Sequence, residues 1–230
     1  GMDNALYYYD NAQQNYRYYL SKFPNDDTTS LIGQRYIPAM QGFMVHAKTT
    51  GTKTVTINNN ARSHQGQSVY YKSANTEGNN LTLKVSANGK QDEAFIHFNQ
   101  SATTAFDGEY DAFKLKSYSE KVPAVYTKSS EGSDLAINGL PTFNDATLIP
   151  VYFTTETAGE YTFNANLSGF ENSKVYLKDK KTNIDRNLTE NPSFSFTSAA
   201  GDDPNRFLLH FKQTTGVSDE ADDQKLEFVY

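Results

Sequence analysis

Asp107, Glu109 and Asp111 stand at alternate positions, a D-x-E-x-D cluster of the kind that offers oxygen ligands to calcium. The calcium loop of a helix–loop–helix site also needs a glycine at its sixth position and a closing glutamate at its twelfth. Counted from Asp107, those positions hold Ala112 and Tyr118. The cluster therefore reads better as a solvated turn with local capping, spanning one helical turn at most. Histidines at 46, 64, 97 and 210 are scattered, and none forms a His-x-x-x-His ligand pair. His97 and His210 each alternate with apolar residues on expected strands, which assigns them to the outward face. A His46 paired with an acid in a cleft is the arrangement that would revive an enzymatic reading. There is no Gly-x-Ser-x-Gly elbow, phosphate-binding glycine loop or dinucleotide fingerprint. With no cysteine, thiol nucleophiles, disulfides and zinc–thiolate sites are excluded. The expectation is a protein that is not an enzyme and uses no cofactor.

The second group is aromatic. Ala5–Tyr9 and Tyr16–Leu20 flank the turn-forming run from Asp10 to Asn15, which reads as a hairpin. Tyr7, Tyr9, Tyr16 and Tyr18 are the candidate ligand-binding rings, with the loop Ser63–Tyr71 as a second possible contributor. Cross-strand ring pairing is the plainer explanation of the same residues. Coplanar exposed rings would favour a glycan or a host surface protein as partner; rings packed inward would remove that reading.

The elements that must position these residues are strands. Long amphipathic helical patterns are missing, and period-2 segments bounded by Gly, Asn, Asp and Pro dominate. Hydrophobic residues make up only 37%, but 16 Tyr and 15 Phe spread along the chain can fill thin cores while outer faces stay polar. Disorder is excluded by those rings and by the balance of 21 basic against 27 acidic residues. Tyr36–Ala47, Thr52–Asn58 and Leu81–Ala87 are expected strands, the last joined through Asn88-Gly89 to Glu93–Phe98. Asn-Gly between alternating runs is the strongest hairpin signal in the chain. Ala112–Lys116 follows, and Ser119–Pro123 has the look of a junction. Beyond it come seven short strands: Val125–Lys128, Leu135–Asn138, Leu148–Thr154, Gly159–Asn164, Lys174–Asp179, Ser193–Thr197 and Arg206–Phe211.

This pattern predicts an all-β protein of two tandem antiparallel β-sandwich domains, the first jelly-roll-like and the second immunoglobulin-like. The divisions are 1–119, 120–216, and 217–230 as an acidic linker opening a further domain. Gly1-Met2 is expected to be a cleavage remnant, with any export signal upstream. A net charge of −6 without a basic cluster argues against nucleic acid. No apolar run reaches the length of a membrane span.

Several stretches, taken in order, carry a resemblance. They are Tyr36-Ile37-Pro38-Ala39-Met40-Gln41-Gly42-Phe43-Met44-Val45, Ala61-Arg62, Phe106-Asp107 with Tyr110-Asp111-Ala112 and Lys114-Leu115, and Leu135 to Pro141. Ile149-Pro150-Val151, Gly159 with Tyr161-Thr162-Phe163, Val175-Tyr176-Leu177 with Asp179-Lys180, and Arg206-Phe207 with Leu209-His210-Phe211 complete the set. Together they resemble the β-rich region of surface and secreted proteins from Bacteroidetes-type bacteria, of the kind that precedes a C-terminal secretion-sorting domain. The resemblance implies a non-catalytic structural, spacer or adhesion-type module, secreted or displayed on the cell surface after outer-membrane export. Flanking domains of a larger protein would be its partners. No catalytic residue comes with it. In physical terms, Gly42 suits a bulge or close packing within a strand, and Asn138-Gly139 before Pro141 suits a turn.

Overall fold

The computed structural model describes residues 1–22, 30–32, 37, 39–59 and 78–214. Among them the chain is all-β, with fourteen strands and no α-helix. A three-stranded antiparallel sheet contains β1 (Met2–Asp10), β2 (Asn15–Leu20) and β3 (Met44–Ala47), in the order β2-β1-β3. The remaining strands are β4 (Asn80–Ala87), β5 (Lys90–Phe98), β6 (Ala112–Phe113), β7 (Ala124–Lys128), β8 (Asp134–Leu140), β9 (Leu148–Thr154) and β10 (Gly159–Ser168). They continue with β11 (Ser173–Asp179), β12 (Ile184–Asn187), β13 (Ser193–Ser198) and β14 (Phe207–Gln213). Their hydrogen bonds give the order β12-β11-β14-β9-β7-β8-β5-β4-β10-β13, with β6 also on β8.

The expected β4–β5 hairpin is present. Asn88 and Gly89 both take positive φ (50° and 74°), so Ala87 pairs with Lys90 across a two-residue primed turn. All seven strands expected after residue 124 form, and β12 is added. Alternation places Leu81, Leu83 and Val85 of β4, Ile96 and Phe98 of β5, and Phe163 of β10 on one side of a core. Val151 and Phe153 of β9, Leu177 of β11 and Leu209 and Phe211 of β14 close it from the other side. The folded-over sheet is a barrel-like sandwich whose two edge strands approach each other: the Arg186 guanidinium of β12 lies 5.8 Å from the Phe194 ring of β13.

Strand pairing runs straight across residue 119. β5 pairs with β8 in parallel, Phe95 opposite Ile137, and β4 pairs with β10. The first-half hairpin thus lies in the sheet, and in the core, of the second half.

A second core sits on the outer face of β5 and β8. There Ala5, Tyr7, Tyr16, Tyr18 and Leu20 of the small sheet meet Tyr110, Ala112, Ala136 and Ile137, with Phe95 against them. β5 is therefore covered on both faces: Ala94, Ile96 and Phe98 point into the first core, while Phe95 and His97 point toward the small sheet.

Several expectations are corrected. Thr52–Asn58 forms no strand, and Val55 and Ile57 are exposed, so alternation alone found no partner there. Of Tyr36–Ala47 only Met44–Ala47 is strand; Tyr36 and Pro38 lie outside the described residues, and Gly42 is neither in a strand nor closely packed. Asn138-Gly139 is the interior of β8, not a turn. Gly139 is needed because a Cβ there would come within 2.6 Å of Tyr110 Cβ and 2.7 Å of His97 Nε2. Ala61-Arg62, His64, the Ser63–Tyr71 loop and residues 215–230 lie outside the described residues.

Candidate functional site

The three acids at 107–111 do not converge. They sit on a turn closed by the Asp107 carbonyl, which accepts from Tyr110 N and Asp111 N at 2.9 and 2.8 Å. Asp111 is buried, and its two oxygens accept from Gly139 N and Asp107 N, each at 2.7 Å. Burial pushes its carboxyl up to about 7, although those two N–H bonds pull the other way. Asp107 turns back to accept from Glu109 N, and Glu109 faces outward to Lys22 at 2.6 Å. Among the described residues no group of three or more His, Asp or Glu could share a metal ion.

The tyrosine hairpin packs largely inward. Tyr7, Tyr16 and Tyr18 are buried and Tyr9 is half-buried. Tyr7 meets Tyr18 edge-on at 5.8 Å and 82°, and Tyr9 meets Tyr16 at 5.2 Å and 74°. Edge-to-face pairs of this kind add about 0.5–1.5 kcal/mol beyond the area they bury. The hydroxyls are used as anchors. Phe113 N donates to Tyr7 Oη, while Tyr18 Oη both donates to Leu115 O and accepts from Leu115 N. Burial raises both phenols, Tyr7 to about 12. Among the described residues Tyr118 is the exposed ring beside them, tilted 52° to Tyr9 and 58° to Tyr16, so it is coplanar with neither.

His97 overturns its outward assignment. It is buried beneath the small sheet, stacked on Phe95, with Nε2 donating to the Tyr110 carbonyl at 2.9 Å. His210 is half-exposed, stacked on Tyr176 at 5.0 Å and beside the Asp185 carboxylate at 2.9 Å. His46 does meet an acid: its Nδ1 lies 2.5 Å from Asp3 Oδ2, and Lys48 Nζ is 3.6 Å from the other oxygen. Asp3 is buried, and the imidazole is about half exposed against Phe113. The pair fastens β3 to β1.

Two buried ion pairs had no counterpart in the sequence reading. Arg206 grips Asp179 bidentately, Nε to Oδ1 at 2.8 Å and Nη2 to Oδ2 at 2.7 Å. Burial alone would raise the Asp179 carboxyl, but hydrogen bonds from Arg206 and Thr182 hold it below the usual range. The pair lies beside a cavity of about 290 Å³ between β13 and β12, lined also by Glu160, Ile184 and Phe196. It joins two of the sequence stretches named above, around 175–182 and 206–211, which gives their polar members a structural role.

The second pair is Lys114 and Asp92, both side chains buried, with Nζ 2.5 Å from Oδ2. Asn15 Nδ2 donates to Asp92 Oδ1 at 2.9 Å, and Val125 N donates to Oδ2 at 2.7 Å. Lys114 Nζ also donates to the Glu93 carbonyl at 3.2 Å and stands 5.4 Å from the Tyr18 ring centroid. Next to it, Glu93 accepts from Ser30 Oγ and Leu31 N, and burial raises its carboxyl. The detectable signal was a lysine between Phe113 and Leu115, and two acids directly before Ala94-Phe95-Ile96. Charges inside apolar runs point to buried partners.

Comparison with known proteins gives one informative relative, the minor fimbrium subunit Mfa5 of Porphyromonas gingivalis, a surface protein of a Bacteroidetes bacterium. It is 26% identical over 190 residues, which cover 77% of this chain and 15% of that protein. This chain thus spans a small fraction of its relative's length. No solved structure matches. A single family model runs from residue 2 to residue 211, across the 119/120 position. The chain belongs to that family, described as a domain of unknown function, DUF8693.

Proposed function

We propose that this chain is a structural or adhesion-type module of a larger bacterial cell-surface or secreted protein, without catalytic activity of its own. The observation that carries this reading is the match to a fimbrial subunit, in which most of this chain aligns with a small part of a much longer surface protein. The geometry agrees with it. Polar residues that could do chemistry fasten strands together: Asp111 on β8, His46 and Asp3 across β3 and β1, and Arg206 with Asp179 where β14 begins beside the end of β11, Arg206 Nη1 donating also to Thr197 O of β13. The hairpin tyrosines serve the same end, since three of the four rings are buried. Partners would then be other parts of the same surface protein or its neighbours on the cell.

The test is an immunoblot of intact source cells, before and after protease shaving, with antibody raised to this chain. The expected result is a band much larger than 25.8 kDa that disappears on shaving. A protected band near the mass of this chain alone would overturn the proposal.

A further inference from the structure

The geometry points to an intramolecular amide bond between Lys114 Nζ and Asp92 Cγ, formed by the folded protein itself. An amine 2.5 Å from a carboxylate oxygen leaves Nζ within about 3.5 Å of the carboxyl carbon, a near-attack separation. Both side chains are almost wholly shielded from solvent. An ion pair so placed keeps a large desolvation cost in both charges. Moving one proton from Nζ to Oδ2 removes both charges, and burial drives Lys114 in that direction by lowering its affinity for the proton.

The remaining contacts suit the reaction. The Glu93 carbonyl holds the amine in place, and the Tyr18 ring lies against it. Asn15 Nδ2 donates to Oδ1, the oxygen that gains negative charge when Nζ adds to Cγ. Oδ2, facing the amine and held by Val125 N, is the leaving atom. The balance is closed: the Nζ–Cγ bond forms and the Cγ–Oδ2 bond breaks. Two of the three ammonium protons depart with Oδ2 as water, one stays on the amide nitrogen, and Oδ1 returns to a carbonyl. No oxidant, nucleotide or second protein is required. The product links β5 covalently to the segment after β6, in the layer between the two cores, and replaces two buried charges with a neutral amide.

Intact-mass spectrometry of the purified full chain decides the matter, with tryptic mapping and a Lys114→Arg variant beside it. The wild type is expected to be one water lighter than its sequence, and the variant to have its full sequence mass. No Lys or Arg lies between Lys90 and Lys114, and trypsin cannot cut after an acylated lysine. The wild type should therefore yield residues 91–116 as one dehydrated peptide, with no backbone fragment ions from between residues 92 and 114. A wild-type chain at full mass, with residues 91–114 released unmodified, overturns the proposal. A loss of ammonia instead, with Lys114 uncleaved and linked to the peptide that holds Asn15, would make Asn15 the acyl donor and overturn the assignment of Asp92. Water loss with Lys114 still cleaved, from a chain that hydroxylamine converts to a hydroxamate or cuts at Asp107-Gly108, would be a succinimide there and would also overturn it. The wild-type spectrum suffices even if the variant does not fold.

Discussion

Desolvation pushes the His97 imidazole down from its ordinary value of 6.5 to about 4, despite its hydrogen bond to the Tyr110 carbonyl. Between those two values the unfolded chain holds more protons than the folded one. Stability therefore falls as pH is lowered through that window and levels off below it. The loss attributable to this residue is at most about 3 kcal/mol. Asp111 has the opposite sign. Its carboxyl is raised, so its folded form holds the extra proton below pH 7 and its penalty grows as pH rises toward that value. Comparing wild type with His97→Gln isolates the first effect. In urea denaturation followed by circular dichroism, the two should diverge between pH 6.5 and 4, the wild type losing more; parallel curves would refute it. Nothing in the sequence around His97 announces this. Alternation with Ile96 and Phe98 correctly sets it on the opposite face, but whether that face meets water depends on a hairpin some eighty residues earlier.

Two glycines in hairpin-like contexts show how far an element can be read from its letters. Asn88-Gly89 is a turn because both residues adopt positive φ and alternating strands flank it on either side. Asn138-Gly139 looks similar, yet it lies inside β8, where its glycine admits Tyr110 and His97 against the backbone. Substitution by alanine should separate the roles. Gly139→Ala forces a Cβ into both cores' shared layer, and overpacking of this kind costs about 1–3 kcal/mol. Gly89→Ala meets open space and bears only the left-handed backbone penalty of about 1–2 kcal/mol. Thermal melts should rank Gly139→Ala as the more damaging, with loss of near-ultraviolet tyrosine signal as the layers part; equal melts with unchanged tyrosine signal would argue against the tight layer. The local hairpins and the seven later strands were legible because each carries its own turn chemistry. Thr52–Asn58 was misread because alternation reports a preference for a pleated surface and says nothing of whether one is available. The buried Lys114, Asp92 and Glu93 went unread for a related reason: their partners Asn15, Val125 and Ser30 come from distant parts of the chain.

At the level of the molecule, the sandwich cannot be finished from either side of residue 119. The later strands lack β4 and β5, which supply Leu81, Leu83, Ile96 and Phe98 to their core. The earlier ones lack β8, whose Ala136 and Ile137 floor the small sheet's core. Expressed separately, residues 1–119 and 120–214 should each be aggregation-prone or molten. Mixed from denaturant, they should regain the tyrosine near-ultraviolet signal together. Two independently cooperative fragments would contradict this. The parallel pairing of β5 with β8 carries a kinetic consequence as well. Antiparallel neighbours such as β4 and β5 can zip outward from a two-residue turn in microseconds. Phe95 and Ile137, in contrast, are roughly forty residues apart, and bringing them side by side must lose the entropy of that loop before any ladder bond compensates. β5 is thus a strand made early and seated late. Until β8 arrives, one edge of β5 has no partner strand, and its apolar stretch Ala94–Phe98 is open to pairing with the wrong chain. A strand covered on both faces in the native state is thus one that the nascent protein has reason to shelter.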